Sequence, residues 1–508
     1  MSDGIERFDD LVIGSGMAGL AVASLLARAG RRVVVLEAHD TPGGYAHTFA
    51  MRDYRFCAQV HYIFGCGEGE TVHRLLTRLG VAERVPFVRL DPEGFDHVIV
   101  GDSRFRIPNG LPKLRDRLIH RYPEHEAPLR AYFAIVIAVA DELDTLDSIP
   151  ERPSPIAFAK AAFEHRHVLR WMRATLADVF DAVRMPPLLR AVLAGQSGDY
   201  LLPPRDVSFL LHVALVANYD RGAYYPAGHY FHFVDAIAGV VRDAPGCALL
   251  LEHEVERIHV ERGRVAYVTT KNGRRFAAER YVSNADPRAT ARLAGAQNLT
   301  KDRARLDYAY SAGTFTLYLG IEGLDLREHG FGSWNVWHYP HADLDRIYDD
   351  QGLRHDLSNP WLFMSTPTLH SDAPGICPPG RQILEIATSC DYERFARLRA
   401  NDRRAYNLEK KKIKDTILDL LEARYVPRLR EHLDIQVAGS PVTNERYCWA
   451  PQGNAYGSAL TPRNVGPGRK PFRSALDNLW MVNATAGFPS VAGALGAGVR
   501  LFDSLARA

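Results

Sequence analysis

The feature that most constrains this chain is a glycine turn between two apolar segments. Phe8 to Ile13 predicts a short strand, Met17 to Ala29 a helix, and Val33 to Glu37 a parallel strand buried on both faces. Gly14-Ser-Gly-Met-Ala-Gly19 joins the first strand to the helix, and Gly30 ends that helix. This order predicts a right-handed βαβ unit, so the fold is expected to be α/β.

The glycines of this turn match the tasks of a dinucleotide-binding loop. Gly14 permits the tight turn, Gly16 lets the backbone approach a pyrophosphate, and Gly19 lets the helix pack closely on the strand. The first helical residues, Met17 and Ala18, add N–H groups and a positive dipole. The loop therefore predicts a Rossmann-like dinucleotide site.

A second glycine pair follows and separates flavin from nicotinamide chemistry. Glu37 stands 18 residues after Gly19, where a carboxylate accepts hydrogen bonds from ribose hydroxyls, and Ala38 comes directly after it. The segment from Glu37 to Gly43-Gly44 resembles the FAD-binding segment of the amine oxidase and phytoene desaturase superfamily. The resemblance implies FAD as cofactor, with the paired glycines beside the flavin-side phosphate.

Further segments resemble the same superfamily, strongly at both ends and weakly through 110–220. Pro441 to Asn444 and Pro451 to Gly457 are similar to segments of retinol saturases and carotenoid isomerases. The other matching segments are Arg55-Phe56, Val60 to Ile63, Tyr225 to Gly228, Val282 to Pro287 and Ser490 to Gly496.

The resemblance also implies cofactor contacts by residues far along the chain. Val255 would meet the adenine through its backbone, and the helix that starts near Ser490 and Val491 would offer a donor to the flavin pyrimidine. Relatives carry Gly-Asp before this helix, whereas Asn483 brings no charge here. Gln59 likewise replaces a glycine of the relatives' F-D-x-G-x-H segment. FAD binding is expected to persist, with a changed affinity.

Two neighbouring residues are the catalytic candidates. His61 is a candidate proton carrier near the flavin, because imidazole exchanges protons near neutral pH, and a structural histidine is the alternative. Tyr62 is the second candidate, and it could line an apolar tunnel with Trp449 and Phe488 or belong to the core. No metal site is predicted, because His229 and His232 have helical ligand spacing but no third ligand in register.

The remaining pattern predicts a discontinuous FAD-binding domain. The predicted strands are Ala248–Leu251, Glu254–Glu261, Arg264–Thr270, Phe276–Val282, Thr314–Gly320, Gln382–Thr388 and Leu479–Val482. Helices are predicted at 112–147, 156–195, 402–424 and 491–506, and the lysine run from Lys410 to Lys412 is expected on a solvated helix face. Gly493 to Gly498 reads as helix packing and not as a second nucleotide loop.

We therefore expect three modules. The Rossmann-like FAD-binding domain would comprise 1–70, 222–300 and 436–508, the inserted mixed-sheet substrate domain 71–110 and 301–435, and a helical cap 111–221. The stretch 156–190 is basic, aromatic and amphipathic, so the cap either packs on the protein or faces a membrane.

Composition narrows the partners. The 508 residues carry 62 basic and 60 acidic side chains, so no nucleic-acid partner is expected. Six scattered cysteines without a C-x-x-C pair are typical of a reduced intracellular protein, and no signal peptide or spanning helix is predicted. We expect a cytoplasmic protein, with peripheral contact at the inner face of a membrane and the oligomeric state left open.

The prediction is an FAD-dependent oxidoreductase or isomerase that acts on C=C bonds of an apolar polyene or isoprenoid lipid. Saturation, desaturation and cis–trans isomerisation stay open, as does the electron donor or acceptor. The alternatives are an unsaturated fatty acid isomerase, an amine oxidase on the same scaffold, and a flavin-free lipid-escort protein resembling Rab GDP-dissociation inhibitors. The Gly43-Gly44 pair disfavours the escort protein.

Overall fold

A computed structural model gives the fold and describes residues 4–146, 161–295, 297–299 and 306–507. The helices of these residues are α1 (Met17–Arg28), α2 (Thr71–Leu79), α3 (Leu111–Arg121), α4 (Glu126–Thr145), α5 (Arg166–Trp171), α6 (Leu176–Ala182), α7 (Pro187–Leu193), α8 (Phe209–Arg221), α9 (His229–Arg242), α10 (Pro287–Leu293), α11 (Leu344–Gly352), α12 (Pro367–His370), α13 (Tyr392–Asn401), α14 (Arg403–Arg424), α15 (Pro441–Cys448) and α16 (Val491–Arg507).

The strands form two large sheets and two small two-stranded sheets. They are β1 (Ile5–Ile13), β2 (Val33–Leu36), β3 (Thr48–Met51), β4 (Tyr54–Cys57), β5 (Phe87–Arg89), β6 (Asp96–Val100), β7 (Ser103–Ile107), β8 (Tyr224–Pro226), β9 (Ala248–Leu250), β10 (Val255–Glu261), β11 (Arg264–Thr270), β12 (Arg275–Ser283), β13 (Gly313–Ile321), β14 (Asn335–Tyr339), β15 (Leu362–Ser365), β16 (Gln382–Cys390), β17 (Leu433–Gly439) and β18 (Leu479–Met481).

The first sheet surrounds the predicted glycine turn. Its order is β10-β11-β12-β1-β2-β9, and β18 pairs with β12. β1 runs parallel to β2 and β12, and β18 runs parallel to β12. β2 is buried along its whole length, as an apolar strand in a parallel sheet requires. The predicted Rossmann-like βαβ unit is confirmed.

The second sheet is largely antiparallel. Its order is β17-β13-β16-β15-β14-β6-β7, and β14 pairs in parallel with β6. The sequence predicted β13 and β16, whose apolar runs are long, and missed the shorter strands beside them. A separate apolar core lies between this sheet and α14, with Ile413, Ile417 and Leu421 among its buried residues.

Helix α16 closes the first sheet by packing against α1. A Cβ on Gly498 would lie 2.7 Å from the carbonyl oxygen of Ala18 and 2.7 Å from the Cβ of Ala21, so only glycine permits this approach. The packing interpretation of this glycine-rich segment is confirmed. The last helix therefore rests directly on the helix that follows the glycine turn.

The central helices depart from the expected stretches. The helix predicted at 112–147 is two helices, because Pro123 lacks the N–H that would continue α3 beyond Arg121. Within 156–195, residues 161–164 are helical and are followed by α5, α6 and α7. Pro150, Pro153 and Pro155 lie outside the described residues, as do Ile156 and Phe158 at the start of the predicted amphipathic stretch.

The lysine run was expected to lie on a solvated face, and this is wrong for Lys410. Lys411 and Lys412 are exposed, but Lys410 is partly buried and donates a hydrogen bond to the carbonyl oxygen of Ala438 at 2.5 Å. Its ammonium also lies 5.7 Å from the ring centroid of Tyr406. Desolvation lowers the pKa of Lys410.

The strands of the first sheet fall inside the three segments predicted for the FAD-binding domain. The predicted boundary at residue 436 falls inside β17, whose pairing with β13 belongs to the second sheet. The domain boundaries themselves stay a prediction. Across the described ranges, no helix combines the length and apolar character needed to cross a bilayer.

Candidate functional site

A cavity of about 800 Å³ receives side chains from both large sheets. Ile13, Leu36 and Val255 line it from the first sheet, and Thr314 and Trp337 line it from the second. Its volume is within the range of about 300–1,000 Å³ for small-molecule and cofactor sites. The cavity therefore has one end lined by residues of the first sheet and another lined by residues of the second sheet.

At the first end, Asn284 lies over the glycine turn. Its Nδ2 donates a hydrogen bond to the carbonyl oxygen of Val482 at 2.6 Å, which fixes the amide. A Cβ on Gly16 would lie 2.4 Å from Asn284 Oδ1, and one on Gly19 would lie 2.5 Å from the carbonyl oxygen of Gly14. No side chain fits at either position. The backbone at Gly16 therefore stays open to the cavity, and Gly19 permits close packing beneath the turn. Asn284 was missed as a site residue.

Three hydrogen bonds from neighbouring residues fix the carboxylate of Glu37. Its Oε2 accepts hydrogen bonds from the Ser15 N–H at 2.7 Å and the Ser15 hydroxyl at 2.5 Å. Its Oε1 accepts one from the His39 N–H at 2.9 Å. A carboxylate offers roughly four acceptor positions. One position on Oε1 therefore remains for a ligand hydroxyl.

The paired glycines pass directly beside the first turn. Gly43 has φ +116° and donates its N–H to the Ser15 carbonyl oxygen at 3.0 Å. A Cβ on Gly44, whose φ is +57°, would lie 3.1 Å from the Cα of Gly16. Both positions require glycine, and together the two turns form one continuous backbone wall.

Asn483 uses its amide in a way that aspartate cannot. Its Oδ1 accepts hydrogen bonds from the N–H groups of Thr485 at 3.0 Å and Ala486 at 2.8 Å. Its Nδ2 donates to the carbonyl oxygen of Ala285 at 2.8 Å. The amide thus joins the turn before α16 to the segment after β12.

The start of α16 also lines the cavity. The Ser490 hydroxyl accepts a hydrogen bond from the Gly493 N–H at 3.0 Å, and Val491 is the first helical residue. Ser490 has φ +71°, which is strained for a side chain other than glycine. Phe488 and Trp449 line the same cavity while remaining 41% and 42% exposed, so they are not ordinary core residues.

At the second end, the wall is aromatic. Trp337, Trp361 and Phe363 come from β14 and the start of β15, and the Trp337 and Phe363 ring centroids are 4.6 Å apart. Tyr62 stacks on Tyr219 of α8 with a centroid distance of 4.5 Å and an interplanar angle of 10°. Flat rings in this number offer a surface for an extended, apolar ligand.

His61 is bound to a buried carboxyl that the sequence did not reveal. The His61 Nδ1 and Glu385 Oε2 atoms are 2.7 Å apart, and Glu385 is 1% exposed. Within the described residues, Glu385 Oε1 has no hydrogen-bond partner. Burial raises the pKa of Glu385. His61 therefore faces the cavity with a proton acceptor behind it.

Tyr62 lies between two further carboxyls. Its hydroxyl oxygen is 2.8 Å from Asp199 Oδ2 and 3.2 Å from Asp96 Oδ2. Asp199 lines the cavity, whereas Asp96 is fully buried behind Tyr62. Burial raises the pKa of both carboxyls. Neither aspartate was predicted, since each stands in a segment without a recognisable motif.

The predicted site residues gather around this one cavity. Those that line it are Gly14, Gly16, Met17, Ala18, Glu37, Ala38, Gly43, Gly44, His61, Tyr62, Val255, Asn483, Ser490 and Val491. Gly19 does not line it and lies beneath the turn, where the helix packs on the strand. The described residues hold no group of three or more His, Cys, Asp or Glu side chains that could bind a metal ion.

Comparison with known families identifies the class of enzyme to which this chain belongs. The sequence profile of the flavin-containing amine oxidoreductases matches residues 17–500. The chain belongs to this family. It is an FAD-dependent enzyme, and its fold is the one that solved structures of this flavoprotein family share.

Relatives within the family act on different substrates. The all-trans-retinol 13,14-reductase of Danio rerio is 26% identical over 483 residues, which cover 89% of this chain and 78% of that protein. Prolycopene isomerase 1 of an Oncidium hybrid cultivar is 23% identical over 490 residues, 94% of this chain and 80% of that protein.

Solved structures confirm the fold at low identity. Putrescine oxidase bound to putrescine is 15% identical with a TM-score of 0.65, covering 99% of both chains. Cyclohexylamine oxidase from Brevibacterium oxydans is 19% identical with a TM-score of 0.62, covering 98% of this chain and 99% of that one. Rab GDI from Plasmodium falciparum matches with a TM-score of 0.50 at 11% identity over 98% of each chain. The fold alone does not separate an enzyme from an escort protein, whereas the family match does.

Proposed function

We propose that this flavin-containing enzyme saturates, desaturates or isomerises C=C bonds of an apolar polyene or isoprenoid. The aromatic end of the cavity is the observation that carries this proposal. Arg292 is the one Lys or Arg side chain among the described residues that line the cavity, and it stands on α10 beside β10 at the other end. The aromatic end suits a ligand without charge. The relatives named for retinol and prolycopene support the same class.

We propose that the residues of the first end hold FAD. The open backbone at Gly14, Gly16, Gly43 and Gly44 fits a pyrophosphate, and the remaining acceptor position of Glu37 fits a ribose hydroxyl. The other proposed contacts are Met17, Ala18, Ala38, Val255, Asn483, Ser490 and Val491. Bound FAD supplies the two-electron chemistry.

We propose His61 and Tyr62 as the catalytic residues. Both line the cavity. His61 can exchange a proton with ligand while Glu385 orients its ring from behind. With substrate bound, the aromatic side chains around them would shield a reactive carbon from water, so that it exchanges protons with groups of the chain.

The test is a product analysis with the purified holoenzyme. All-trans-retinol and a poly-cis carotene are incubated with and without chemically reduced flavin, and products are separated by chromatography with mass detection. A gain or loss of two hydrogens indicates redox chemistry, and a changed retention time at constant mass indicates isomerisation. In the His61→Gln variant, turnover is expected to fall by about 10²–10⁴-fold at unchanged flavin content.

Two competing activities give opposite outcomes in the same preparation. An amine oxidase would release hydrogen peroxide from putrescine or cyclohexylamine and leave polyenes intact. A fatty acid isomerase would convert free unsaturated fatty acids, whose carboxylate needs a cation that the aromatic end does not offer among its described residues. Either result, without any change in the polyenes, would overturn the proposal.

We also propose that the cap contacts a lipid surface. Phe163 and Leu169 are 72% and 46% exposed, and Arg166, Arg170 and Arg173 are exposed beside them. Exposed apolar side chains flanked by arginines favour an anionic bilayer interface. Sedimentation with phosphatidylserine vesicles is expected to decrease in a Phe163→Ser, Leu169→Ser variant. The matched control is Leu353→Ser, since Leu353 is 74% exposed elsewhere. Equal sedimentation of both variants would contradict the proposal.

A further inference from the structure

The cavity is bordered by an acid cluster that consists of Asp199, Tyr62 and Asp96. These residues come from the 3-10 turn after α7, the loop after β4, and the first position of β6. One phenol oxygen lies within hydrogen-bond distance of both carboxyls, at 2.8 Å and 3.2 Å. The sequence separation of these residues hides the cluster from any motif search.

The two contacts of this cluster require one proton more than a phenol and two ionised carboxylates supply. A tyrosine hydroxyl has a single hydrogen, so it can donate to one carboxylate only. The second contact is favourable only when that carboxyl is protonated and donates to the phenol oxygen. Two ionised carboxylates at these distances would leave one contact repulsive in a buried place. One of the two aspartates therefore carries a proton.

The neighbouring groups offer no positive charge that would favour two carboxylates. The titratable groups that face the pair are phenols, namely Tyr62, Tyr200, Tyr219, Tyr339 and Tyr456. Within the described part of the chain, no Lys, Arg or His side chain stabilises the charged form of Asp96 or Asp199. Burial and the charge of Asp96 both raise the pKa of Asp199.

Amide donors decide which aspartate holds the proton. Gln196 Nε2 donates to Asp96 Oδ2 at 2.7 Å, and Asn335 Nδ2 donates to Asp96 Oδ1 at 3.3 Å. Such donors stabilise the charged form of Asp96. In the described residues, no amide donates a hydrogen bond to the side chain of Asp199. The charge therefore resides on Asp96 and the proton on Asp199, whose O–H donates to the Tyr62 oxygen at 2.8 Å, while the Tyr62 hydroxyl donates to Asp96 at 3.2 Å.

We propose that Asp199 is the general acid of this enzyme, kept protonated by Tyr62 and Asp96 and delivering its proton to a carbon of the bound substrate. The inference rests on the proposed function for the identity of that substrate. In the step, the O–H bond of Asp199 breaks and a C–H bond forms. The accompanying hydride, with its two electrons, comes from reduced flavin when a C=C bond is saturated. Asp199 then takes a proton from water before the next turnover.

The first test measures the stored proton without any substrate. Infrared spectra of the holoenzyme are recorded across a pH series to follow the carbonyl stretch of protonated carboxylic acids. At pH 7 the band is expected in the wild type and lost in Asp199→Asn. It is expected to persist in Glu385→Gln, which removes another buried acid, and in Asp243→Asn, which removes an exposed one. Absence of the band in the wild type, or its persistence in Asp199→Asn, would overturn the proposal.

A second variant keeps the test decisive if Asp199→Asn does not fold. Asp96→Asn removes the negative neighbour while keeping the shape of the side chain. The Asp199 band is then expected to disappear at a lower pH than in the wild type, because the charge that disfavours ionisation is gone. An unchanged titration of the band would show that the two aspartates do not share a proton and would contradict the cluster.

The delivery step is tested in heavy water with a polyene substrate. The wild type is expected to place two deuteriums on the saturated product, one from Asp199 and one from the solvent-exchanged N–H of reduced flavin, and Asp199→Asn is expected to lose about 10²–10⁴-fold in kcat at unchanged flavin content. Wild-type kcat in Asp199→Asn would overturn the delivery step even if the band is present. If no polyene reacts while the band is assigned to Asp199, the proposed function fails and the stored proton stands.

Discussion

The two ends of the cavity are built in different ways. At the cofactor end, the wall is backbone, and its glycines lie within short turns that follow strands of the first sheet. At the aromatic end, side chains form the wall. The residues there and behind them come from separate elements of the chain, namely Asp96, Asp199, Trp337, Phe363 and Glu385. Backbone geometry leaves a local pattern in the sequence, whereas a cluster of distant side chains leaves none.

This difference predicts how each end responds to mutation. The cofactor end should fail by steric exclusion, because its glycines are already in contact with neighbouring atoms. The aromatic end should respond through protonation, because its polar groups are buried carboxyls. Four substitutions test the contrast.

The largest effect is expected from Gly16→Val, which should abolish flavin binding. The added Cβ would lie 2.4 Å from Asn284 Oδ1, an atom whose amide is fixed by Val482. The ratio of flavin to protein absorbance measures the loss. The matched control is Gly352→Ala, where a Cβ meets nothing within 4 Å, and it should retain full flavin. Full flavin occupancy in Gly16→Val would contradict the proposal that the open backbone at Gly16 holds the pyrophosphate.

The next effect is a changed pH dependence of stability in Asp96→Asn. Burial raises the pKa of both Asp96 and Asp199, so the native pair holds a proton that the unfolded chain releases above about pH 4. This contribution to stability is complete below about pH 4 and is lost as the pH rises through the raised pKa of the pair. The asparagine variant should show a fall that is shallower by up to about 1.4 kcal/mol per pH unit.

Urea unfolding at steps between pH 4 and pH 7 measures this slope. Asp243→Asn, at an exposed position, is expected to keep the wild-type slope. Identical slopes in the wild type and Asp96→Asn would show that Asp96 does not help the pair to hold a proton, and would contradict the expected response of the aromatic end through protonation.

Glu37→Gln should weaken FAD without unfolding the chain. Glutamine places an N–H₂ group among the donors of Ser15 and His39, where a carboxylate now accepts three hydrogen bonds. Hydrogen bonds to charged groups are worth about 1.5–3 kcal/mol, so the Kd for FAD should rise about 10- to 100-fold. Flavin titration of the apoprotein measures it. Glu279→Gln, on an exposed ion pair with Arg31, should leave the Kd unchanged.

The smallest effect is expected from Asn483→Asp, although relatives carry aspartate here. A carboxylate cannot donate to the carbonyl oxygen of Ala285, so unfolding free energy should fall by about 1–2 kcal/mol. Asn272→Asp is the control, since that side chain accepts hydrogen bonds from Thr270 and Arg274. A higher Tm together with tighter FAD in Asn483→Asp would contradict this account.

The sequence predicted most residues of the cofactor end but not the buried carboxyls of the aromatic end. β11 has the predicted bounds, and β2, β10, β12 and α16 begin and end within one residue of prediction, because apolar runs and glycine turns act locally. β6 was missed because its first residue, Asp96, is a fully buried carboxyl that no propensity assigns to a strand. Glu385 stands in a predicted strand, but only the packing of β16 against the loop of His61 makes it a site residue.

Asn483 was predicted as a site residue, but the hydrogen bonds that its amide makes within the chain were not predicted. The departure from aspartate was visible in the sequence, and a loss of charge was the expected consequence. The reason for asparagine lies in Ala285, whose carbonyl oxygen approaches from the segment after β12. A partner so distant along the chain cannot be inferred from one sequence.

The order of strands in the first sheet also sets an order of events during synthesis. β1, α1 and β2 leave the ribosome before β18, which pairs with β12, and before α16, which packs on α1. Until then, α1 exposes the small-residue face on which Gly498 will rest. Capture of the coloured cofactor is therefore a late event, and chains interrupted before α16 should be colourless and in need of chaperones.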